Sequence, residues 1–302
     1  WEAGRALARD GLMAMLREGA APDEKYIDAV HSMARDDTLD PAFRALALGL
    51  PSEDELAQAM FDSGQTPDPS AIRHALDALR QARAEIMQDT ARALYAAHQV
   101  TAPYSPDADQ AGARSLANVA LSILNRVDGG LQARAQFDTA DNMTQQLAAF
   151  GCLLQAGQGD AATKAFYDQW HHDRLVVDKW FMMQVANAEP HDAATTAQAL
   201  TDHPDFTIRN PNRFRAVMGA LVMNPAGFHD PSGQGYRLLT DWLMKLDPLN
   251  PQTTARMCSA FEAWRRYDSD RQALIGAELD RILSLDGLSR DTREMVSRIR
   301  DG

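Results

Sequence analysis

Apolar residues recur every three to four positions along most of the chain, which is the spacing of amphipathic α-helices. The pattern predicts a long helix from about Pro69 to about His98, and another over Asp107 to Val127 that two glycines end. Ser52 followed by Glu55 predicts a capping box at the start of a further helix. Helix-forming residues dominate and β-branched residues are sparse, so the sequence predicts an all-α chain.

The predicted helices follow one another through short loops and resemble a series of helical hairpins. No fixed period or repeated motif links them, which favours an irregular α-solenoid over an exact repeat protein. No Gly/Ser-rich linker or run of charge divides the chain, so we expect residues 1–302 to form a single domain. Trp1 cannot be an initiator and no leader sequence follows it, so we expect the chain to be part of a longer polypeptide.

One segment, Asp173 to Ala188, is apolar on almost every side, and this predicts a helix that is buried all round. Its aromatic and methionine residues are expected in the core; they are Trp180, Phe181, Met182 and Met183.

The stretch Thr207–Gly235 differs from the plain helices around it. Asn210-Pro211 and Asn224-Pro225 stand at the two ends of one short helical pattern. Asparagine before proline leaves the α conformation, whereas proline suits the first position of a helix. Each Asn-Pro step therefore predicts the end of one helix and the start of the next.

Composition narrows the classes of partner and compartment. The net charge of −12 argues against a nucleic-acid or anionic-membrane surface, since both require basic patches. No apolar run approaches the roughly 20 residues of a membrane span. Cys152 and Cys258 are far apart and outside any CxxC spacing, so we expect free buried thiols and a cytoplasmic location.

The sequence contains no recognisable catalytic or metal-binding motif. None of its eight histidines belongs to an HExxH arrangement, and the adjacent His171 and His172 point to different helix faces. No GxSxG turn, phosphate-binding glycine loop or Cys/His pairing occurs. We therefore expect no catalytic residue and no metal site within this chain.

One candidate binding surface lies on the helical pattern from Asn250 to Arg266. Its apolar stripe consists of Met257, Phe261 and Trp264. Gln252 and Arg256, with Ser259 and Ala263, lie on nearly the opposite side. From periodicity alone, that opposite side is either a solvent-exposed face or the wall of a cavity.

A second candidate is the arginine cluster of the Asn-Pro corner: Arg209, Arg213 and Arg215, with Asn212 among them. These arginines either satisfy helix carbonyls and pair with carboxylates such as Asp178 or Asp205, or face a chamber or a neighbouring domain.

Several short motifs, in one consistent order, resemble a known family. They are Trp1-Glu2-Ala3-Gly4, Leu50-Pro51-Ser52-Glu53, Asn142-Met143-Thr144, Asp178-Lys179-Trp180-Phe181, Asn210-Pro211-Asn212-Arg213-Phe214-Arg215, Asn224-Pro225, Phe228-His229, Gly233-Gln234-Gly235-Tyr236, Asn250-Pro251-Gln252 and Arg266-Tyr267-Asp268. Together they resemble the C-terminal helical domain of bacterial aminopeptidases N, which are zinc-dependent gluzincins.

The resemblance implies a role for the chain. In that family the helical domain caps the chamber of an upstream catalytic domain, which holds the zinc and removes N-terminal residues from peptides. It further implies that Gln252 and Arg256 look into the chamber and contact the peptide substrate. This chain alone would then be inactive. The residues by themselves also allow a second class, a free-standing α-solenoid that binds another protein.

Overall fold

The computed structural model describes residues 2–302, which contain helices and no β-strand, so the all-α prediction is confirmed. Features predicted for Trp1 lie outside the described residues. The α-helices are α1 (Glu2–Glu18), α2 (Glu24–Arg35), α3 (Pro41–Ala47), α4 (Glu53–Asp62), α5 (Pro69–Ala97), α6 (Ala108–Asp128), α7 (Leu131–Thr139), α8 (Met143–Gln155), α9 (Gly159–Trp170), α10 (Arg174–Ala186), α11 (Ala193–Thr201), α12 (Pro211–Phe214), α13 (Ala220–Val222), α14 (Pro225–Phe228), α15 (Gln234–Leu246), α16 (Pro251–Met257), α17 (Ser269–Leu283) and α18 (Arg290–Asp301).

The chain forms two compact units. One runs up to Leu56 and continues over Ala71–Phe166; the other comprises Ala57–Ser70 and Tyr167–Gly302. In the first unit α6 packs against α3, α7 and α8, and in the second α16 packs against α15 and α18. That residues 1–302 act as one domain stays a prediction.

Side-chain caps explain where several of the helices begin. The predicted capping box is present: the Glu55 amide donates to the Ser52 hydroxyl over 3.2 Å, and the Ser52 amide donates to the Glu55 carboxylate over 2.6 Å. Gly129, with a φ of 64°, ends α6 in the left-handed conformation that glycine adopts most easily. Both long helices, α5 and α6, match their predicted limits within two residues.

The Asn-Pro corner also forms as predicted. The Asn210 and Asn224 side chains cap α12 and α14, and a proline follows each of them as the first helical residue. Between these caps the backbone makes one π-helical turn over Arg215–Gly219, which joins α12 to α13. Asn224 is buried, and its amide donates to the Ala188 carbonyl over 2.8 Å. The corner is thereby fixed to the end of α10.

The burial predicted for α10 is largely confirmed. Val177, Trp180 and Phe181 are buried, and the methionines that follow are partly buried. Leu175, in the first turn, is the exception, because two-thirds of it is exposed.

The prediction of one helix from Asn250 to Arg266 is wrong. The α-helix ends at Met257, and two 3₁₀ turns follow, over Cys258–Phe261 and Trp264–Arg266. Packing explains the break, because the Trp264 indole donates to the Ile299 carbonyl over 3.0 Å and Phe261 is buried. Tertiary contacts here outweigh local helix propensity.

Replacing Gly235 in α15 with alanine is expected to lower the free energy of unfolding by about 1–3 kcal/mol, because overpacking shifts the backbone. A Cβ atom there would lie 2.6 Å from the Phe228 carbonyl oxygen, inside the contact distance. Gly276 in α17 is the matched control, since its Cβ would lie 3.8 Å from the Trp264 ring, an ordinary contact. Gly276→Ala should stabilise by about 0.4–1 kcal/mol. Chemical denaturation measures both, and equal effects would contradict this description of the α14–α15 corner.

Candidate functional site

The α16 helix carries two exposed polar side chains, Gln252 and Arg256, one turn apart. The Asn250 side chain caps the helix by accepting from the Thr253 amide over 3.0 Å. Thr254, between the two exposed residues, is fully buried, which holds the opposite side of the helix against the core. Residues at i and i+4 lie on one helix face, so Gln252 and Arg256 can act on the same ligand.

Arg256 is an unpaired cation within the part of the chain that the structure describes, because no carboxylate of residues 2–302 forms a salt bridge with it. Its guanidinium group offers five N–H donors, and the Gln252 amide offers donors and an acceptor. The pair can therefore bind a peptide carbonyl together with a carboxylate. Their contact with substrate stays a prediction.

Arg213, by contrast, is buried, and its side chain contacts residues of the same compact unit. Its side chain is 5% exposed, and its Nε donates to Asp178 over 2.5 Å. Its Nη1 donates to the Asp205 carbonyl over 2.5 Å, and its guanidinium carbon lies 4.8 Å from the centre of the Phe181 ring. Arg213 thus pairs with a carboxylate and donates to a backbone carbonyl, which is the structural alternative given above. The carboxylate is that of Asp178, while Asp205 contributes its carbonyl.

The other members of the corner cluster are exposed. Arg209 points to solvent, and Arg215 donates to the Asn212 side chain over 2.6 Å. Arg215 is also the first residue of the π-helical turn, a backbone irregularity that is frequent at functional sites. A role for Arg209, Asn212 and Arg215 in lining a chamber or an interface stays a prediction.

Sequence patterns did not reveal a buried polar cluster around His229. The His229 ring lies 2.9 Å from the Tyr236 hydroxyl and 4.2 Å, centre to centre, from the Tyr267 ring. Arg271 donates to the His229 carbonyl over 2.7 Å. Burial, with the nearby Arg266 and Arg271, lowers the His229 pKa to about 3. A neutral, enclosed imidazole contributes to packing. In the sequence, the only feature that marks this cluster is the Phe-His pair followed by Gly-Gln-Gly-Tyr.

His229 should make stability depend on pH. Its pKa is about 3 in the folded chain and about 6.5 when unfolded. Below pH 6.5 the unfolded chain therefore binds a proton at His229 that the folded chain does not bind. The free energy of unfolding is highest above pH 6.5 and falls as the pH drops towards 3. The loss by pH 5.5 is about 1.4 kcal/mol.

The measurement is the free energy of unfolding at pH 7.5 and pH 5.5 for the unmodified protein and for His229→Gln. The variant should lose about 1.4 kcal/mol less between the two pH values. His203→Gln is the control, because His203 is only partly buried and burial lowers its pKa less severely. An unchanged pH dependence in His229→Gln would contradict the neutral, buried imidazole.

Both cysteines are free and buried, as predicted, and burial raises the pKa of each thiol to about 12. Within residues 2–302, no three metal-ligating side chains of the His, Cys, Asp or Glu type come together. None of the helices described combines the length and the apolar character that crossing a bilayer requires.

Comparison with known proteins identifies relatives over almost the whole chain. Residues 1–301 match a family described as a domain of unknown function, DUF3458_C, with ARM repeats. Aminopeptidase N of Caulobacter vibrioides is 39% identical over 99% of this chain and 35% of its own length. Aminopeptidase N of Escherichia coli is 34% identical over 90% of this chain and 31% of its own length. The chain thus spans about a third of these relatives.

A solved structure shares the fold. It is the crystal structure of Legionella pneumophila aminopeptidase A in complex with aspartic acid, with a TM-score of 0.88 and 28% identity. The match covers 99% of this chain and 36% of that one. ARM repeats are α-solenoid units, so the predicted fold class is confirmed.

Proposed function

The chain belongs to the DUF3458_C family of ARM-repeat domains, and we propose that it is the C-terminal helical domain of a zinc-dependent aminopeptidase of the aminopeptidase N type. One observation carries the proposal: the Caulobacter vibrioides aminopeptidase N aligns with 99% of this chain, which spans only 35% of that enzyme. The remaining two-thirds leave room for a separate catalytic domain.

Catalysis would then take place in that upstream part of the polypeptide. Zinc and the reacting groups belong there, as the resemblance implies, and no step of the reaction is assigned to this chain. Residues 2–302 do not offer a donor set for zinc, because no cluster of three metal-ligating side chains occurs in them. The protein as a whole would remove N-terminal residues from peptides in the cytoplasm.

This chain would close the chamber over the catalytic domain. Such a cap admits short peptides, excludes folded proteins and removes bulk water from the reacting groups. Gln252 and Arg256 would bind the part of the peptide beyond the scissile bond. Arg209, Asn212 and Arg215 are further candidates for the chamber wall or for the contact with the catalytic domain. This role is favoured over that of a free-standing solenoid, because the matches to both relatives cover 90% or more of this chain.

Replacing Gln252 with alanine in the full-length protein tests the substrate contact. One neutral hydrogen bond contributes about 0.5–1.5 kcal/mol, so kcat/KM for di- and tripeptides should fall by about 2- to 12-fold. A chromogenic amide of a single amino acid has no residue beyond the scissile bond, and its hydrolysis should not change. Gln198, an exposed glutamine of α11 outside this face, provides the control variant Gln198→Ala. An equal fall for both substrates would count against the proposed contact.

A further inference from the structure

A buried hydrogen-bond network lies at the start of the helix that carries Gln252 and Arg256. Its centre is Asp247, which is 1% exposed and follows the last residue of α15. The Asp247 carboxylate accepts from the Ser289 amide over 2.8 Å, from the Ser289 hydroxyl over 2.6 Å and from the Thr292 hydroxyl over 2.5 Å. Ser289 is the N-cap of α18, and Thr292 is a fully buried residue of its first turn.

This network joins α18 to the start of α16. Only the short loop after Asp247 separates the carboxylate from Pro251, the first residue of α16. The Thr292 oxygen, which donates its hydrogen to Asp247, lies 3.5 Å from the Pro251 carbonyl oxygen. Gln252 follows Pro251 immediately, and Arg256 lies one turn further on. Thr292 therefore contacts both ends of the loop that leads into the helix.

The direction of α16 needs such an external constraint. A helix of seven residues has two turns, and its own hydrogen bonds are too few to make it stable in isolation. Its Asn250 cap closes the first turn but does not fix where the helix points. The helix packs against α18 and the network lies at its start, so both are placed to supply that constraint.

The chemistry of the network suits a geometric role. No lysine, arginine or histidine of residues 2–302 pairs with Asp247, so hydrogen bonds alone compensate its buried carboxylate. Well-packed apolar residues would often serve stability equally well, whereas a fully satisfied polar network restricts the core to one arrangement. Loss of one donor should loosen that arrangement locally.

We propose that Asp247, Ser289 and Thr292 form a positioning network that sets the direction of α16, and with it the reach of Gln252 and Arg256 towards a bound peptide. The residues of the network do not touch substrate. The inference rests on the proposed function, because it assigns a purpose to the orientation of those two side chains.

Thr292→Val in the full-length protein is the test variant, because valine keeps the shape of threonine and removes the hydroxyl. KM for di- and tripeptides should rise by about 3- to 10-fold with little change in kcat, since small displacements of substrate-binding groups weaken binding. Hydrolysis of the chromogenic amide should stay unchanged. Thr292→Ser restores the hydroxyl and should restore KM. In an Arg256→Ala/Gln252→Ala background, Thr292→Val should add nothing to the loss.

Hydrogen exchange of the same full-length variants reports on α16 independently of activity. Thr292→Val should speed exchange of the amides of Thr254–Met257 and leave those of α15 unchanged. An equal loss on both substrates, unchanged exchange in α16, or an undiminished effect in the double-variant background would overturn the positioning role. If exchange of the α16 amides becomes faster but Arg256→Ala slows hydrolysis of both substrates equally, the network still positions α16. The proposed contact of Arg256 with substrate is then wrong.

Discussion

Arg256→Ala in the full-length protein is expected to lower kcat/KM for di- and tripeptides by about 10- to 150-fold. The exposed guanidinium has no carboxylate partner within residues 2–302, so it is free to donate to a peptide carbonyl or to the terminal carboxylate. A charge-assisted hydrogen bond of this kind contributes about 1.5–3 kcal/mol, which gives that range. Steady-state kinetics on a di- and tripeptide series measures it.

Comparison with a chromogenic amide of one amino acid makes the experiment specific. That substrate ends at the scissile bond, so its hydrolysis should change much less. Arg256→Lys keeps the charge and loses the planar fork of donors, and should recover only part of the loss. If both substrate types respond equally, or neither responds while the free energy of unfolding falls, Arg256 is a structural residue.

Most of the fold could be predicted because its helices carry their own start and stop signals. Proline after a capping asparagine predicted the starts of α12 and α14, and the two glycines after Asp128 predicted the end of α6. These signals act within a few residues, so one sequence reveals them. The break after Met257 depends instead on Ile299, which lies 35 positions after Trp264 and accepts a hydrogen bond from its indole. Periodicity carries no information about such partners.

The same difference between local and distant signals applies to the candidate site. The i, i+4 spacing placed Gln252 and Arg256 on one exposed face, since the helix holds over that interval. The three arginines of the corner could not be sorted by sequence, because their roles differ through contacts with α10. Only Arg213 meets Asp178, while Arg209 and Arg215 are exposed. The Asp247 network was missed because its members are small polar residues about 42 positions apart.

Arg213→Ala is expected to lower the free energy of unfolding by about 3–5 kcal/mol, because it leaves one charge of a buried ion pair without its partner. The Asp178 side chain is only 15% exposed, so water cannot fully replace the lost donor. The Asp205 carbonyl loses a donor over 2.5 Å, and the Phe181 ring loses its cation contact.

Arg215→Ala is the matched control, two residues further on in the same corner. Arg215 is exposed and its side chain donates to Asn212, so its loss should change stability by no more than about 0.5 kcal/mol. Asp178→Ala combined with Arg213→Ala should cost less than the sum of the single changes, since the double variant buries no unpaired charge. Chemical denaturation of the four proteins measures the cycle. If Arg213→Ala keeps its stability and instead raises KM for peptides, Arg213 faces the chamber, and the ion pair with Asp178 is not what holds the corner to α10.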